Sequence, residues 1–166
     1  IASALFLIVA FIEMRMGTRS LIELRGLSKA MPVLYGSFML IMLAALGLPG
    51  LNGFVGEFMI LMGVWTSNIF SGLSGVLVLM GGLSIVFASI YMLYMFQGSM
   101  QDKPENLPEG LTDIDQSEFR LIFPACLLIL LIGLYPKPFV DRITPSVDLL
   151  LHLEKTVNLH AGEDHH

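Results

Sequence analysis

The chain has 166 residues, 55% of them hydrophobic and 14% charged, with a net charge of −5 and a mean hydropathy of +0.76; a soluble domain carries about a quarter charged residues, so this composition excludes one and implies a membrane protein. The negative charge falls largely in residues 102–118 and the C-terminal tail, so it says little about nucleic acid, whose binders favour a basic stripe, and nucleic-acid binding is set aside. One cysteine, Cys126, excludes an internal disulfide and argues against a metal cluster built by this chain alone; in an apolar run it reads as a small hydrophobe.

The first apolar segment, 1–14, opens without Met and without the basic start of a signal peptide. It is expected to begin inside a membrane helix, as the C-terminal piece of a longer protein would. A basic loop, 15–30, follows with Arg15, Arg19, Arg25 and Lys29, and the positive-inside rule places it in the cytoplasm, or in the matrix of a mitochondrion. A second apolar segment runs from Met31 to Pro49, with Pro32 where a first helical turn tolerates proline. It ends in LPGLNG, where Pro49, Gly50, Asn52 and Gly53 should break or sharply kink a helix near 48–53. The third segment, from 54 to about 69, is expected to carry Glu57 in its first turn. Two readings of 31–70 stay open: two separate spans, or one span interrupted at membrane depth. In the second case the later linker shares the side of the basic loop.

A fourth helix is expected over 74–98. Its Gly81, Gly82, Ser84, Ala88 and Ser89 allow close helix contact, and Tyr91, Tyr94 and Phe96 are expected as an interfacial aromatic belt. The polar, acidic, proline-bearing linker 99–118 should lie in water. A fifth helix, 119–135, contains Pro124 and ends at Pro136, Lys137 and Pro138. In the tail, 136–166, Thr144 as N-cap and Pro145 in the first turn predict a short amphipathic helix, with Val147, Leu150, Leu151 and Val157 on one face.

Glu57 is the one charged residue between Lys29 and Asp102. An ionised side chain at bilayer depth costs about 2.5–3.5 kcal/mol on insertion scales, so something must offset it. The positive end of a helix dipole and the free N–H groups of a helix start, such as the break would create, are suited to that. The plain structural reading is a carboxylate that caps the helix near an interface. The functional reading is a proton carrier, tuned by burial and by a cationic neighbour supplied from outside this chain. Tyr35, Ser37, Ser67, Asn68 and Ser84 are candidates for a water path, each also explained by helix packing. The eleven methionines are scattered and fill irregular apolar space. His152, His160, His165 and His166 read as a polar end of the chain before they read as a metal site. No phosphate loop, nucleophile elbow or paired catalytic carboxylates occur.

On these residues the chain resembles a known family. GLPGLNGFVGEFMILMG, preceded by GLSKAMPVLYG and the basic loop, is similar to the C-terminal third of the proton-pumping M subunits of NADH-quinone oxidoreductase, respiratory complex I, whose mitochondrial counterpart is NADH dehydrogenase subunit 4. FVGEF is its most specific part. The resemblance implies an all-α, polytopic transmembrane helix bundle with an interrupted helix, in which Pro49, Gly50 and Gly53 belong to the interruption. It implies that Glu57 ends a proton path toward the outer side, that 31–70 is one broken span, and that the tail faces outward. Related L, N and antiporter subunits usually carry lysine at this position, so Glu57 points to the M type. The resemblance further implies a non-redox translocase subunit with no cofactor or metal of its own; NADH, FMN, iron–sulfur clusters and quinone belong to partner subunits. Expected partners are L-type and N-type antiporter-like subunits and the lipid bilayer, not nucleic acid. The expected place is the bacterial inner membrane, ahead of the mitochondrial one. The alternatives are a cation/proton antiporter or membrane-bound hydrogenase subunit, or a structural membrane piece that does not pump.

Overall fold

The computed structural model describes residues 1–20, 23–67, 72–101 and 110–163, with 151–163 described by backbone alone. All regular structure among the described residues is helical. The chain forms two compact units, Ile1–Leu134 and Tyr135–His166.

In the first unit, α1 (Ala2–Met16) stops at Gly17, whose left-handed backbone, φ 67°, turns its N–H to Glu13 O at 2.8 Å. After a short 3₁₀ turn, Leu27–Lys29, α2 covers Pro32–Ala45, with Pro32 at the first helical position, where its missing N–H costs nothing. α3 is Asn52–Thr66 and α4 is Ser74–Phe96, the latter continuing as a π-helical turn over Gln97–Gln101. α5 spans Gln116–Leu134, three residues earlier in its start than the linker composition predicts. The break between α2 and α3 occupies 46–51, because α2 stops at Ala45, before Pro49 is reached.

α2 is the packing centre. Leu34, Phe38, Ile41 and Met42 are buried against Ile8, Phe11 and Ile12 of α1 and Ile122 and Ile129 of α5. Phe96 corrects the expectation of an aromatic belt. Only Tyr91 and Tyr94 are exposed, whereas Phe96 is buried, stacked on Tyr35 at 5.5 Å and edge-on to Phe38 at 5.2 Å. The turn of α4 into its π-helical end brings Phe96 and Met100 inward over the start of α2.

At that same end an ionic latch joins α1, α2 and α5. Arg15 donates to both carboxylate oxygens of Glu118, at 2.5 and 3.1 Å, and to the carbonyls of Thr112 and Asp113. Asp113 in turn accepts from Val33 N at 2.6 Å and Leu34 N at 3.2 Å, capping two of the orphan donors at the start of α2. Residues 112–118 of the linker are therefore bonded to the helix ends instead of being simply solvated. Tyr35 Oη accepts from Gln101 Nε2 at 3.1 Å, which ties in the end of α4.

At 1.5 Å per residue, α2 is about 21 Å long and α3 about 22 Å, each short of the roughly 30 Å of hydrocarbon. α4 with its π-helical end and α5 are long and apolar enough to cross. No residue of α3 is buried, and many apolar side chains of α3 and α4, among them Ile60, Trp65, Leu79, Phe87 and Ile90, are bare. A surface of that size implies lipid or further protein around it.

In the second unit, α6 runs from Lys137 to Glu163. The predicted start at Thr144 and Pro145 is corrected: Pro138 occupies the first turn, and Thr144 Oγ1 donates to Val140 O at 2.9 Å inside the helix. Val147 and Leu150 are exposed. Leu151, Val157 and the four histidines fall outside the residues whose side chains are described.

Replacing the Asp113 cap, Asp113→Ala, is expected to cost about 0.5–2 kcal/mol, measured by chemical denaturation of the detergent-purified assembly. Asp113→Asn should cost less, because an amide oxygen still accepts from the α2 start.

Candidate functional site

The break is built from hydrogen bonds that the sequence dictates. Gly47 adopts φ 67°, a region that costs other L-residues about 1–2 kcal/mol. This lets its N–H reach Ala44 O at 3.2 Å while Leu48 N reaches Leu43 O at 3.2 Å. That pair is a Schellman closure, which satisfies carbonyls that an unprotected helix end would leave bare. Pro49 follows, unable to continue the helix. Leu51 N then closes a turn onto Leu48 O at 3.0 Å, with Gly50 at φ 95°.

Glu57 does not lie in the first turn of α3, as predicted, but in the second, since α3 begins at Asn52. Side chains on a helix lean toward its N-terminus, and Glu57 reaches back to the break. Its carboxylate lies against the α-carbon of Gly47: an ideal Cβ on residue 47 would overlap Oε2 and stand 3.0 Å from the carboxyl carbon. The acid therefore meets the C-terminal end of α2, where the expectation had it at the N–H groups of its own helix start. No described residue gives Glu57 a hydrogen bond or an ion pair.

Two other glycines allow the close approaches that form the site. A Cβ on Gly53 would overlap Ala44 O and stand 3.6 Å from the α-carbon of Gly47, so the start of α3 lies directly beside the end of α2. A Cβ on Gly133 would overlap Gly50 O and the α-carbon of Leu51, and stand 2.6 Å from Leu51 C. Backbone of α5 thus covers the irregular segment. Asn52 Oδ1 is buried beside the break with no partner among the described residues, and a bare buried acceptor costs about 1–3 kcal/mol.

Of the residues singled out in the sequence, Pro49, Gly50, Gly53 and Glu57 come together here. Ser37 is at the other half of α2, its Oγ donating to Val33 O at 3.0 Å within its own helix. Tyr35 is committed to Gln101 and Phe96. Ser84 is exposed on α4 and Ser67 follows the end of α3, while Asn68 lies outside the described residues. Among the described residues no group of His, Cys, Asp or Glu could hold a metal ion. Sequence reasoning missed Gly47 and Gly133. The first had a readable signal, a glycine two residues before a proline after an apolar run; the second had none.

The sequence model of the NADH:quinone oxidoreductase/Mrp antiporter transmembrane family matches residues 1–87. NADH-quinone oxidoreductase subunit M of Mycobacterium tuberculosis is 34% identical over 146 residues, 88% of this chain and 25% of that protein. Its counterpart in Rickettsia conorii is 35% identical over 152 residues, 91% of this chain and 30% of that protein. Among solved structures, a chain of respiratory complex I from Thermus thermophilus with bound NADH superposes with a TM-score of 0.74 at 30% identity, covering 85% of this chain and 28% of that one. The chain thus spans less than a third of the length of these relatives.

The packing at the break predicts that Gly133→Ala and Gly53→Ala each destabilise it by about 1–3 kcal/mol, seen as a reduced yield of assembled protein. Gly36→Ala, within α2 where a Cβ meets nothing within 4 Å, should leave the yield unchanged.

Proposed function

The chain belongs to the NADH:quinone oxidoreductase/Mrp antiporter transmembrane family, and from that premise we propose that it acts as a proton-translocating, M-type membrane subunit of NADH-quinone oxidoreductase, respiratory complex I, with Glu57 as proton carrier. The observation that carries this reading is the Glu57 carboxylate, without an ion pair among the described residues, lodged against an irregular backbone in an otherwise uncharged stretch.

The break supports reading α2 and α3 as one interrupted span, since neither alone matches the hydrocarbon thickness. Pro49 and Gly50 then lie in the interruption, while Gly53, expected there from the sequence, sits in the first turn of α3 and lets it pack beside the end of α2. The Arg15 latch supports a common, cytoplasmic side for the basic loop and the linker. Glu57, beyond the break, hands its proton toward the outer side of a bacterial inner membrane.

The chemistry asked of the chain is proton exchange at one carboxyl oxygen. Moving one charge across 100 mV takes about 2.3 kcal/mol. A cation brought to about 4 Å at an effective dielectric of about 20 contributes about 4 kcal/mol, enough to drive the proton off Glu57; its withdrawal lets the acid reprotonate. That cation is a lysine outside this chain. Electron transfer from NADH through FMN and iron–sulfur clusters to quinone belongs to partner subunits. The bare apolar faces of α3 and α4 suit L-type and N-type neighbours and lipid.

The family description also includes Mrp antiporters, and exchange of a cation against a proton is the second reading; it predicts a sodium requirement.

With the subunit assembled in its complex, Glu57→Gln is expected to lower NADH-driven proton uptake by inverted vesicles about tenfold or more, while NADH oxidation by an artificial acceptor persists. Unchanged proton uptake would make Glu57 a structural residue and overturn the proposal.

A further inference from the structure

We propose that Gly47 is a positioning residue for the proton carrier: the missing side chain at the end of α2 opens the notch that holds the Glu57 carboxylate at the break. The inference rests on the proton-carrying role of Glu57 and goes beyond it, naming what sets the position from which the proton is exchanged.

Gly47 serves two geometric purposes. Its left-handed backbone closes α2 through the bonds from Gly47 N to Ala44 O and from Leu48 N to Leu43 O. A helix cap explains a glycine here but not the second feature, that the space of a Cβ is filled by Oε2 of a residue ten positions later. The other left-handed helix end, Gly17, separates the two purposes. It has the same φ of 67° and also follows the last turn of a helix, yet a Cβ there meets nothing within 4 Å. Gly50 likewise has positive φ and open space. Among the glycines whose surroundings are described, Gly47 alone has a charged group in the vacated volume.

The carboxylate has no hydrogen bond or ion pair with a described residue, so shape holds it in place: the backbone of α2 on one side, and its own helix on the other, with Gly53 letting the two approach. A methyl group on residue 47 expels Oε2 from this position. The flexible glutamate can swing away, so the complex assembles, but the acid no longer stands where its proton partners meet it. Displacements of about 1 Å in a reacting group can cost about a hundredfold in rate.

The test is a double-mutant cycle in the assembled complex, reading proton uptake per NADH oxidised, with acceptor-linked NADH oxidation as the check on assembly. Gly47→Ala is expected to lower coupled proton uptake about tenfold or more, whereas Gly17→Ala, with the same backbone strain, leaves it near wild type. In the Glu57→Asp background, where the carboxylate is withdrawn by one methylene, Gly47→Ala should cause no further loss. An equal loss in both backgrounds would show that only the helix cap matters and overturn the inference. If Gly47→Ala alone prevents assembly, the double variant decides: restored assembly supports the notch, and continued failure overturns it. Should Glu57→Gln pump normally, the proposed function itself falls; should Glu57→Gln fail while Gly47→Ala pumps normally, this inference falls alone.

Discussion

Backbone N–H and C=O groups shielded from water must find partners within the protein, and the first unit is arranged around the irregular segment 46–51 between α2 and α3. The cost of the interruption is met locally. The Schellman closure at Gly47 and Leu48 uses the carbonyls of Ala44 and Leu43, and Leu51 folds back onto Leu48. It is also met by neighbours, since Gly133 brings α5 onto the break and Gly53 brings α3 alongside the end of α2. A charge-bearing side chain can then be tolerated at the break because the irregular backbone around it is covered. The same geometry that stops the helix makes the notch into which Glu57 leans.

The opposite end of the bundle is fastened by different forces. Arg15, Asp113 and Glu118 join the end of α1 to the starts of α2 and α5, and Phe96 with Tyr35 and Phe38 seals the end of α4 over them. α2 is thereby held along its whole length by packing and at its start by charge-assisted bonds, which are about twice as strong as neutral ones.

Much of this arrangement is legible in the sequence, for reasons that differ between residues. α4 can be read because an unbroken apolar run between polar stretches has few alternatives in a membrane. Glu57 stands out because its neighbours in sequence carry no charge. Pro49 and Gly50 mark the break because proline lacks a donor and glycine lacks a helical preference, whereas Gly53, read with them, lies in the first turn of α3. What could not be read are contacts between residues distant in sequence. Gly133 looks like any small residue in an apolar run, and the pairing of Arg15 with Glu118 joins two segments whose charges suggested only a loop and a linker. Glu57 in the second turn and Phe96 in the core show the same limit. Where a helix starts and which way a side chain leans are decided by packing partners that periodicity does not identify. For α6, Pro138, read in the sequence only as part of the stop after the fifth helix, occupies the first turn expected for Pro145.

The central claim is that the carboxyl group of Glu57 gains and loses a proton at the break while the enzyme turns over. Redox-triggered infrared difference spectroscopy of the reconstituted complex tests it most directly, because the C=O stretch of a protonated carboxyl is absent from a carboxylate. The account predicts a carboxyl band that changes between the oxidised and reduced states and is missing from the Glu57→Gln variant. Identical difference spectra in the two proteins would contradict it.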